Sequence, residues 1–139
     1  MVQKREFQGG CLCGGLRYTA TNPIDAGYCH CRLCQRSAGA PVLAWASFPL
    51  EGFAYAKGSP SIYRSSPNAH REFCPSCGTQ IAFRDEKTPT TVDVNLASLD
   101  DPESLAPEYH IWTGSRIRWF EIADDLPRFE DDGPERHST

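Results

Sequence analysis

The feature that most constrains this chain is its cysteines, which fall into three tight clusters. There are seven cysteines among 139 residues. An odd number cannot all form disulfides, and the amino terminus lacks the apolar run of an export signal, so we expect reduced thiols and a cytoplasmic location. Clustered, reduced cysteines are typical of metal ligands or nucleophiles rather than of scattered core residues. The clusters are Cys11 and Cys13; Cys29, Cys31 and Cys34; and Cys74 and Cys77.

The first and last of these clusters are predicted to form one structural zinc site, the four-cysteine cluster. In Cys74-Pro-Ser-Cys77, a tight turn can direct both sulfurs at one ion, and Gly78 supplies the backbone angle that often ends such a turn. Structural zinc takes four ligands in a tetrahedron, so a second pair is needed. Cys11 and Cys13 are two residues apart and would face the same side of an extended segment.

The rest of the sequence predicts a mainly β fold that a metal would help to stabilise. Eleven glycines and eleven prolines help to separate short apolar segments, so the core is interrupted by many turns. The length suits one domain, which we expect over residues 1–130, followed by a flexible acidic tail over residues 131–139. A zinc clamp from residue 11 to residue 77 would hold the start of the chain to its middle.

Local patterns predict where the secondary structure lies. The middle cysteine cluster is expected to pass from a strand end into a short helix or turn that stops near Gly39 and Pro41. Residues 117–122 predict a late strand, and Trp112 and Trp119 are expected to pack in the core. The other predicted strands are residues 16–20, 42–48, 53–55, 61–63, 81–83 and 91–96.

The middle group, the three-cysteine cluster of Cys29, Cys31 and Cys34, is predicted to form a second metal site. Its members lie within six residues and can surround one ion. Zinc with three protein ligands keeps its fourth position open, as in catalytic sites. Three thiolates weaken the Lewis acidity of zinc, so the site suits a sulfur ligand better than an activated water. A thiol held there would be a nucleophile or a leaving group at neutral pH.

The three-cysteine cluster leaves three other interpretations open. His30 could be a ligand, although in an extended segment it would point away from Cys29 and Cys31 and be a pocket-wall or surface residue. Cys31 and Cys34 could form a dithiol redox pair, which leaves Cys29 unexplained. A second, fully structural site could be closed by His110 or by an acidic side chain.

Charge and hydropathy argue against two classes of partner. The formal net charge is −4, and acidic and basic residues are interspersed, whereas nucleic-acid-binding proteins show a basic face. No stretch approaches the roughly 20 apolar residues of a membrane helix. We therefore expect neither a nucleic-acid nor a membrane partner, and the sequence leaves the oligomeric state open.

The order of the cysteines resembles the signature of a known family: Cys11-x-Cys13, Cys29-His-Cys31-x-x-Cys34 and Cys74-x-x-Cys77-Gly-Thr. The chain resembles the glutathione-dependent formaldehyde-activating enzyme family, which also includes centromere protein V. The resemblance runs over about residues 8–130 and includes motifs beyond the cysteines. These motifs are Gly14-Gly15, Arg36-Ser37, Arg71-x-Phe73, Leu99-Asp-Asp-Pro102, His110 and Trp119.

The resemblance implies a fold, two metal sites and a reaction. The fold would be a β-tent of antiparallel sheets around a structural zinc held by the four-cysteine cluster. A second zinc and glutathione would belong to the three-cysteine cluster, whose cysteines would be catalytic. The implied reaction adds glutathione to formaldehyde and forms S-hydroxymethylglutathione, which in reverse is a carbon–sulfur lyase reaction.

Glutathione carries two carboxylates, so its site should offer arginine side chains or backbone N–H groups. Arg32 and Arg36 are the cofactor-binding candidates, and Arg64 and Arg71 are further candidates by proximity in sequence. Each of the four, taken alone, is better explained as a solvated surface charge.

Two functions follow from these observations. The leading hypothesis is a zinc-dependent carbon–sulfur lyase that acts on adducts of a small thiol with a small aldehyde. The alternative is a non-catalytic zinc module for a protein partner, which predicts a closed second cluster and an exposed apolar patch. Methionine-sulfoxide reduction needs a reactive cysteine late in the chain, and none follows Cys77.

Overall fold

The computed structural model describes residues 5–134, and its fold is mainly β with one short α-helix. This confirms the predicted fold class. The strands are β1 (Glu6–Gly10), β2 (Arg17–Thr21), β3 (Asp25–Cys29), β4 (Leu43–Pro49), β5 (Phe53–Lys57), β6 (Ser61–Ser66), β7 (Ala69–Phe73), β8 (Gln80–Asp85), β9 (Thr91–Asn95) and β10 (His110–Ile111). The α-helix is α1 (Arg32–Ala38), and short 3-10 helices span Leu50–Gly52, Leu96–Ser98, Pro102–Ser104 and Thr113–Ser115.

The strands form two sheets. Three strands pair antiparallel in the order β1-β2-β5, and seven pair in the order β10-β3-β4-β9-β8-β7-β6. The larger sheet is mixed, because β10 runs parallel to β3 while the other pairs are antiparallel. None of the described helices has the length and apolar character needed to cross a membrane.

The main core contains side chains from both sheets. In β2, burial alternates, so that Tyr18 and Ala20 are buried while their neighbours are half-buried. In the larger sheet, β4 lies between β3 and β9 and is buried almost continuously, as expected for a central strand. The ring of Phe7 meets that of Phe48 edge-on at 5.9 Å, which joins the two sheets.

This topology places each cysteine cluster at the end of a strand. The turn between β1 and β2 carries Cys11 and Cys13, and the turn between β7 and β8 carries Cys74 and Cys77. The three-cysteine cluster occupies the junction of β3 and α1. A smaller core of Trp45, Tyr109 and Ile111 packs around Cys29, with Cys31 and Cys34 against it.

Two expectations about the carboxy-terminal third were wrong. Residues 117–122 form no strand; they turn, with the Phe120 N–H donating to the Ile117 carbonyl at 3.2 Å. The segment pairs with no strand among residues 5–134, so its backbone gains no sheet hydrogen bonds. Trp119 is 78% exposed and Trp112 is 40% exposed, so neither belongs to the core.

The predicted tail begins with residues that touch the domain. The Trp112 N–H donates to the Asp131 carbonyl at 2.9 Å, and residues 131–134 are described. Residues 135–139 of the tail, and residues 1–4 of the predicted domain, lie outside the described residues. The domain boundary at residue 130 therefore stays a prediction.

Candidate metal centres

The sulfurs of the four-cysteine cluster stand at the separations of a tetrahedral zinc site. All four Sγ atoms lie within 4.8 Å of one another. Cys13 Sγ is 3.6 Å from Cys11 Sγ and 3.7 Å from Cys74 Sγ. A tetrahedron with zinc–sulfur bonds of about 2.3 Å has sulfur–sulfur edges of about 3.8 Å. The donor set and its spacing therefore fit a structural zinc ion.

The amino-terminal pair reaches this geometry through a turn, not through the extended segment that we predicted. The Gly14 N–H donates to the Cys11 carbonyl at 3.1 Å, and Gly14 has φ of 79°, which favours glycine. The Leu16 N–H donates to Cys11 Sγ at 3.1 Å and the Gly15 N–H to Cys13 Sγ at 3.4 Å. The flanking glycines thus direct backbone donors at both sulfurs.

The second pair forms the predicted knuckle. The Ser76 and Cys77 N–H groups each donate to Cys74 Sγ at 3.4 Å, and Gly78 has φ of 80°. The Leu12 N–H donates to Thr79 Oγ1 at 3.1 Å, which ties the two turns together across 67 residues of chain. A metal held by both pairs would reinforce this long-range contact.

Two thiols of this cluster, Cys77 and Cys13, have pKa values that are shifted in opposite directions. The hydroxyl and backbone of Thr79 lower the pKa of Cys77 to about 5. The pKa of Cys13 is raised to about 11, because the thiols of Cys11, Cys77 and Cys74 outweigh the lowering by the Gly15 N–H. Neighbouring thiolates repel one another, and a divalent cation removes that penalty.

The three-cysteine cluster is built by one short segment. Cys29 ends β3 and is buried, whereas Cys31 and Cys34 are half-buried. Cys31 is the N-cap of α1, and its Sγ accepts the Cys34 N–H at 3.3 Å. The helix ends at Gly39, which has φ of 62°, as the sequence predicted. The three Sγ atoms lie within 4.8 Å of one another, so this group could also hold a metal ion.

The three thiols of this cluster shift one another's pKa values in opposite directions. Hydrogen bonds from Cys29 and Cys34 lower the pKa of Cys31 to about 2. The pKa of Cys29 is raised far above its ordinary value by its contacts with Cys31 and Cys34 and by burial. For Cys34, Cys29 lowers the pKa, but Cys31 and burial raise it to about 11. The three thiols are therefore coupled, and a cation held among them favours the ionised form of the whole group.

The positions of His30 and His110 bear on the alternatives left open for this cluster. His30 is buried, not a surface residue, and its Nε2 lies 2.8 Å from Nδ1 of His110. His110 Nε2 lies 2.9 Å from Asp124 Oδ2, so both nitrogens of His110 are engaged away from the cysteines. Among the described residues, the cluster contains no histidine or carboxylate as a fourth member. All seven cysteines are free thiols.

The histidine chain is a feature that sequence reasoning did not find. His30, His110 and Asp124 come from three separate segments, and the ring of His110 also stacks on Tyr28 at 4.7 Å. Burial is the main cause that lowers the pKa of His30 to about 4, so the ring is neutral at pH 7. His110 lies on β10, which pairs with the end of β3 that carries Cys29.

The candidate arginines differ sharply in position. Arg71 is 6% exposed, and its Nη2 lies 3.8 Å from Cys34 Sγ. Arg32 and Arg36 line a cleft of about 250 Å³ with Trp119, and no cysteine lines that cleft. Arg64 is exposed and lies 3.5 Å from Glu86. The structure thus brings Arg71, and not Arg32 or Arg36, into contact with the three-cysteine cluster.

A mainly β domain with two cysteine clusters that could each hold a metal ion defines a class of cysteine-rich metal-binding proteins. The sequence profile of the glutathione-dependent formaldehyde-activating enzymes matches residues 6–115. The chain therefore belongs to the glutathione-dependent formaldehyde-activating enzyme family, which confirms the resemblance seen in its cysteines.

Individual relatives agree with this assignment. A Halomonas elongata protein, provisionally named a glutathione-dependent formaldehyde-activating enzyme, is 26% identical over 84% of this chain and 80% of its own length. An uncharacterized lyase of Schizosaccharomyces pombe is 31% identical over 56% of this chain and 57% of its own length. The crystal structure of a Rhodobacter sphaeroides protein shares the fold, with a TM-score of 0.58, 24% identity, and coverage of 67% of this chain and 87% of that one.

Proposed function

We propose that this protein is a zinc-dependent carbon–sulfur lyase that acts on adducts of glutathione, or of another small thiol, with small aldehydes such as formaldehyde. The observation that carries the proposal is the three-cysteine cluster, which has three sulfurs and no fourth protein ligand among residues 5–134. Membership of the family and the names of two relatives support the same chemistry. Reduced thiols in both clusters suit a cytoplasmic location.

We assign a different role to each cysteine cluster. The four-cysteine cluster would hold a structural zinc ion, since four sulfurs complete a tetrahedron. The three-cysteine cluster would hold a second zinc ion with Cys29, Cys31 and Cys34. An ion in that site supplies positive charge that keeps a thiol brought to it deprotonated at neutral pH.

The residues around the three-cysteine cluster fit a small anionic thiol. Cys31 and Cys34 are half-buried, so a ligand can approach from the side that they expose. Arg32 and Arg36 would bind the carboxylates of glutathione in their cleft on α1. Those carboxylates are several bonds from the sulfur of glutathione, which is consistent with a cleft beside the cysteines and not among them.

The reaction itself needs no redox change. A bond forms between the thiolate sulfur and the carbonyl carbon of the aldehyde, while the π electrons of the carbonyl move to its oxygen and that oxygen takes a proton. In reverse, the hydroxyl proton leaves, the carbonyl re-forms and the carbon–sulfur bond breaks. The protein would contribute by bringing thiol and aldehyde together and by holding the sulfur as a thiolate.

Exchange spectroscopy by NMR tests the proposal against the uncatalysed reaction. Wild-type zinc-loaded protein should accelerate the interconversion of glutathione, formaldehyde and S-hydroxymethylglutathione. The Cys31→Ser variant should stay folded, bind less zinc and give only the uncatalysed rate. Ser37→Ala, on the same helix, is the matched control and should retain acceleration. Unchanged acceleration by Cys31→Ser would refute the role of this cluster.

The alternative, a non-catalytic zinc module for a protein partner, also has an observation in its favour. Leu33 on α1 is 54% exposed and Trp119 is 78% exposed, and Trp119 lines the cleft beside that helix. Under this alternative, the wild-type protein gives no acceleration in the exchange experiment although both zinc sites are filled.

A further inference from the structure

Arg71 is a buried cation that forms no ion pair within residues 5–134. It lies on β7, its side chain is among the buried charged groups at 6% exposure, and its guanidinium packs over the ring of Phe83 at 4.8 Å. Its Nε and Nη1 atoms are buried without a hydrogen-bond partner among the described residues. Its one polar contact there is from Nη2 to Cys34 Sγ at 3.8 Å.

A charge in this position needs compensation. Burying an ionised group without a counter-charge costs several kcal/mol, on the order seen for broken buried ion pairs. Glu72 follows Arg71 in the chain but points to the other face of β7, where it accepts from Tyr55, His70 and Arg84. None of the ion pairs within residues 5–134 includes Arg71. Asp93 lies beyond Phe83 in the same cross-strand row, whereas the sulfur of Cys34 in the three-cysteine cluster is in direct contact with the guanidinium.

The balance of charge at that cluster explains why such a cation is useful. Three thiolates around a divalent ion leave a net charge of about −1, and a fourth thiolate brings it to about −2. Adding that second negative charge is unfavourable in a buried site unless a cation lies close by. The four-cysteine cluster is complete without an outside ligand, and Arg17, whose charge interacts with Cys11, is neutralised by its ion pair with Asp100.

We propose that Arg71 is a positioning residue that makes the three-cysteine site select an anionic, thiolate ligand over a neutral one. Nη2 holds Cys34, and the buried positive charge offsets the negative charge that a fourth sulfur brings. Phe83 fixes the plane of the guanidinium through the cation–π contact. This inference rests on the proposed function, because it assumes that a metal in this site takes an outside thiol.

The test compares two probe ligands on cobalt(II)-loaded protein. The probes are 2-mercaptoethanol, which binds as a thiolate and has no carboxylate, and imidazole, which binds neutral. Their affinities are read from the visible absorption of cobalt(II), and neither titration involves an aldehyde or turnover. In Arg71→Met we expect 2-mercaptoethanol to bind about tenfold to a hundredfold more weakly, because the neutral side chain no longer offsets the negative charge of the thiolate. Imidazole affinity should be unchanged.

Two further variants separate charge from structure. Arg71→Lys keeps the charge and should retain most of the preference for the thiolate. Arg64→Met removes an exposed cation from neighbouring β6 and is the matched control, with both affinities as in the wild type. Should Arg71→Met fail to fold, Arg71→Gln provides the neutral side chain for the same comparison.

Two results would overturn the inference. One is an equal loss of affinity for both ligands in the neutral variants, and the other is no change in either affinity. Because the probes need no aldehyde, the outcomes for selectivity and for catalysis are separate. A wild-type protein that prefers thiolates through Arg71 but gives no exchange with formaldehyde would refute the lyase proposal alone. A protein that accelerates exchange but shows no Arg71-dependent preference would refute this inference alone.

Discussion

The two cysteine clusters use the same ligand atoms but compensate their charge in different ways. In the four-cysteine cluster, backbone N–H groups of Gly15, Leu16, Ser76 and Cys77 point at the sulfurs. In the three-cysteine cluster, one backbone N–H reaches Cys31 and a full guanidinium charge lies against Cys34. Fixed dipoles suit a closed site whose charge never changes, whereas a cation suits a site whose charge rises when a ligand binds.

The clusters also differ in what they connect. The four-cysteine cluster joins two turns that are about half the chain apart, with Cys13 and Cys74 separated by 61 residues. The three-cysteine cluster closes only a loop of a few residues between β3 and α1. Because closing a long loop removes more entropy from the unfolded chain, the first cluster should govern stability and the second should govern ligand binding.

Replacing one cysteine in each cluster should give the largest difference between them. Cys74→Ser removes a ligand whose site contributes roughly 10–16 kcal/mol in zinc-finger peptides, which equals or exceeds the stability of most domains. We expect that variant to be insoluble or unfolded by circular dichroism. Cys34→Ser should keep the wild-type spectrum and a cooperative unfolding transition. A folded, metal-free Cys74→Ser protein would contradict the division of roles.

The ion pair between buried Glu72 and half-buried Arg84 should give the next largest effect. Glu72 lies two residues before Cys74 and accepts from Arg84 Nε at 2.7 Å and from Tyr55 and His70, each at 2.8 Å. Glu72→Gln removes the counter-charge of the half-buried Arg84, so we expect a loss of about 1.5–3 kcal/mol in chemical denaturation, the range for hydrogen bonds to charged groups. The exposed ion pair between Arg64 and Glu86 provides the control. Glu86→Gln should lower the free energy of unfolding by less than about 1 kcal/mol.

Glu72 also predicts a pH dependence. Burial raises the pKa of Glu72, but its bonds to His70, Tyr55 and Arg84 outweigh burial and hold the pKa below its ordinary value. The carboxylate therefore contributes stability above about pH 4.3, the unfolded value, and that stability is lost as the pH falls through the folded pKa. Equal acid sensitivity of Glu72→Gln and wild type below pH 4 would count against this pair.

The histidine chain behind the three-cysteine cluster should act in a higher pH window. His30 has its pKa lowered to about 4, chiefly by burial, so the unfolded chain binds a proton more readily than the folded one. Stability is then complete above about pH 6.5 and falls by up to about 1.4 kcal/mol per pH unit as the pH drops toward 4. His30→Gln should show a shallower decline in urea unfolding between these values. Parallel declines would show that the ring does not titrate with folding.

The smallest expected effect concerns the cleft on α1. Arg36→Ala should weaken binding of glutathione to the loaded protein by a few-fold, because one exposed charge–carboxylate contact contributes about 1 kcal/mol. Binding of 2-mercaptoethanol should not change, since that thiol has no carboxylate, and stability should stay within about 0.5 kcal/mol. Isothermal titration calorimetry with both thiols checks this. An equal loss for both would place Arg36 at the sulfur site and not in the cleft.

Features set by local sequence were predictable. The knuckle at Cys74–Cys77, the helix stop at Gly39 and most strands follow from residue spacing, turn residues and alternation. The three sulfurs of the second cluster also converge because they lie in one short segment. The Cys11–Cys13 pair was assigned correctly to the first cluster but with the wrong backbone, since Gly14 and Gly15 allow a turn where an extended segment was expected.

Features set by contacts between distant segments were not predictable. β1 has two glycines and little alternation, and it becomes a strand through its pairing with β2. Residues 117–122 have a strand-like composition but pair with no strand among the described residues. The side chain of Arg71 is not distinguishable in sequence from that of exposed Arg64; its role depends on β7 carrying it to Cys34, which is 37 residues away in the chain.

Native mass spectrometry of the wild-type protein, purified with reductant, tests the central claim most directly by counting metal ions and bound thiols on each folded chain. We expect two zinc ions per chain, and one added glutathione that disappears in Cys34→Ser together with one of the zinc ions. A wild-type chain with a single zinc ion, or a Cys34→Ser chain that keeps both zinc ions and the glutathione, would contradict the account.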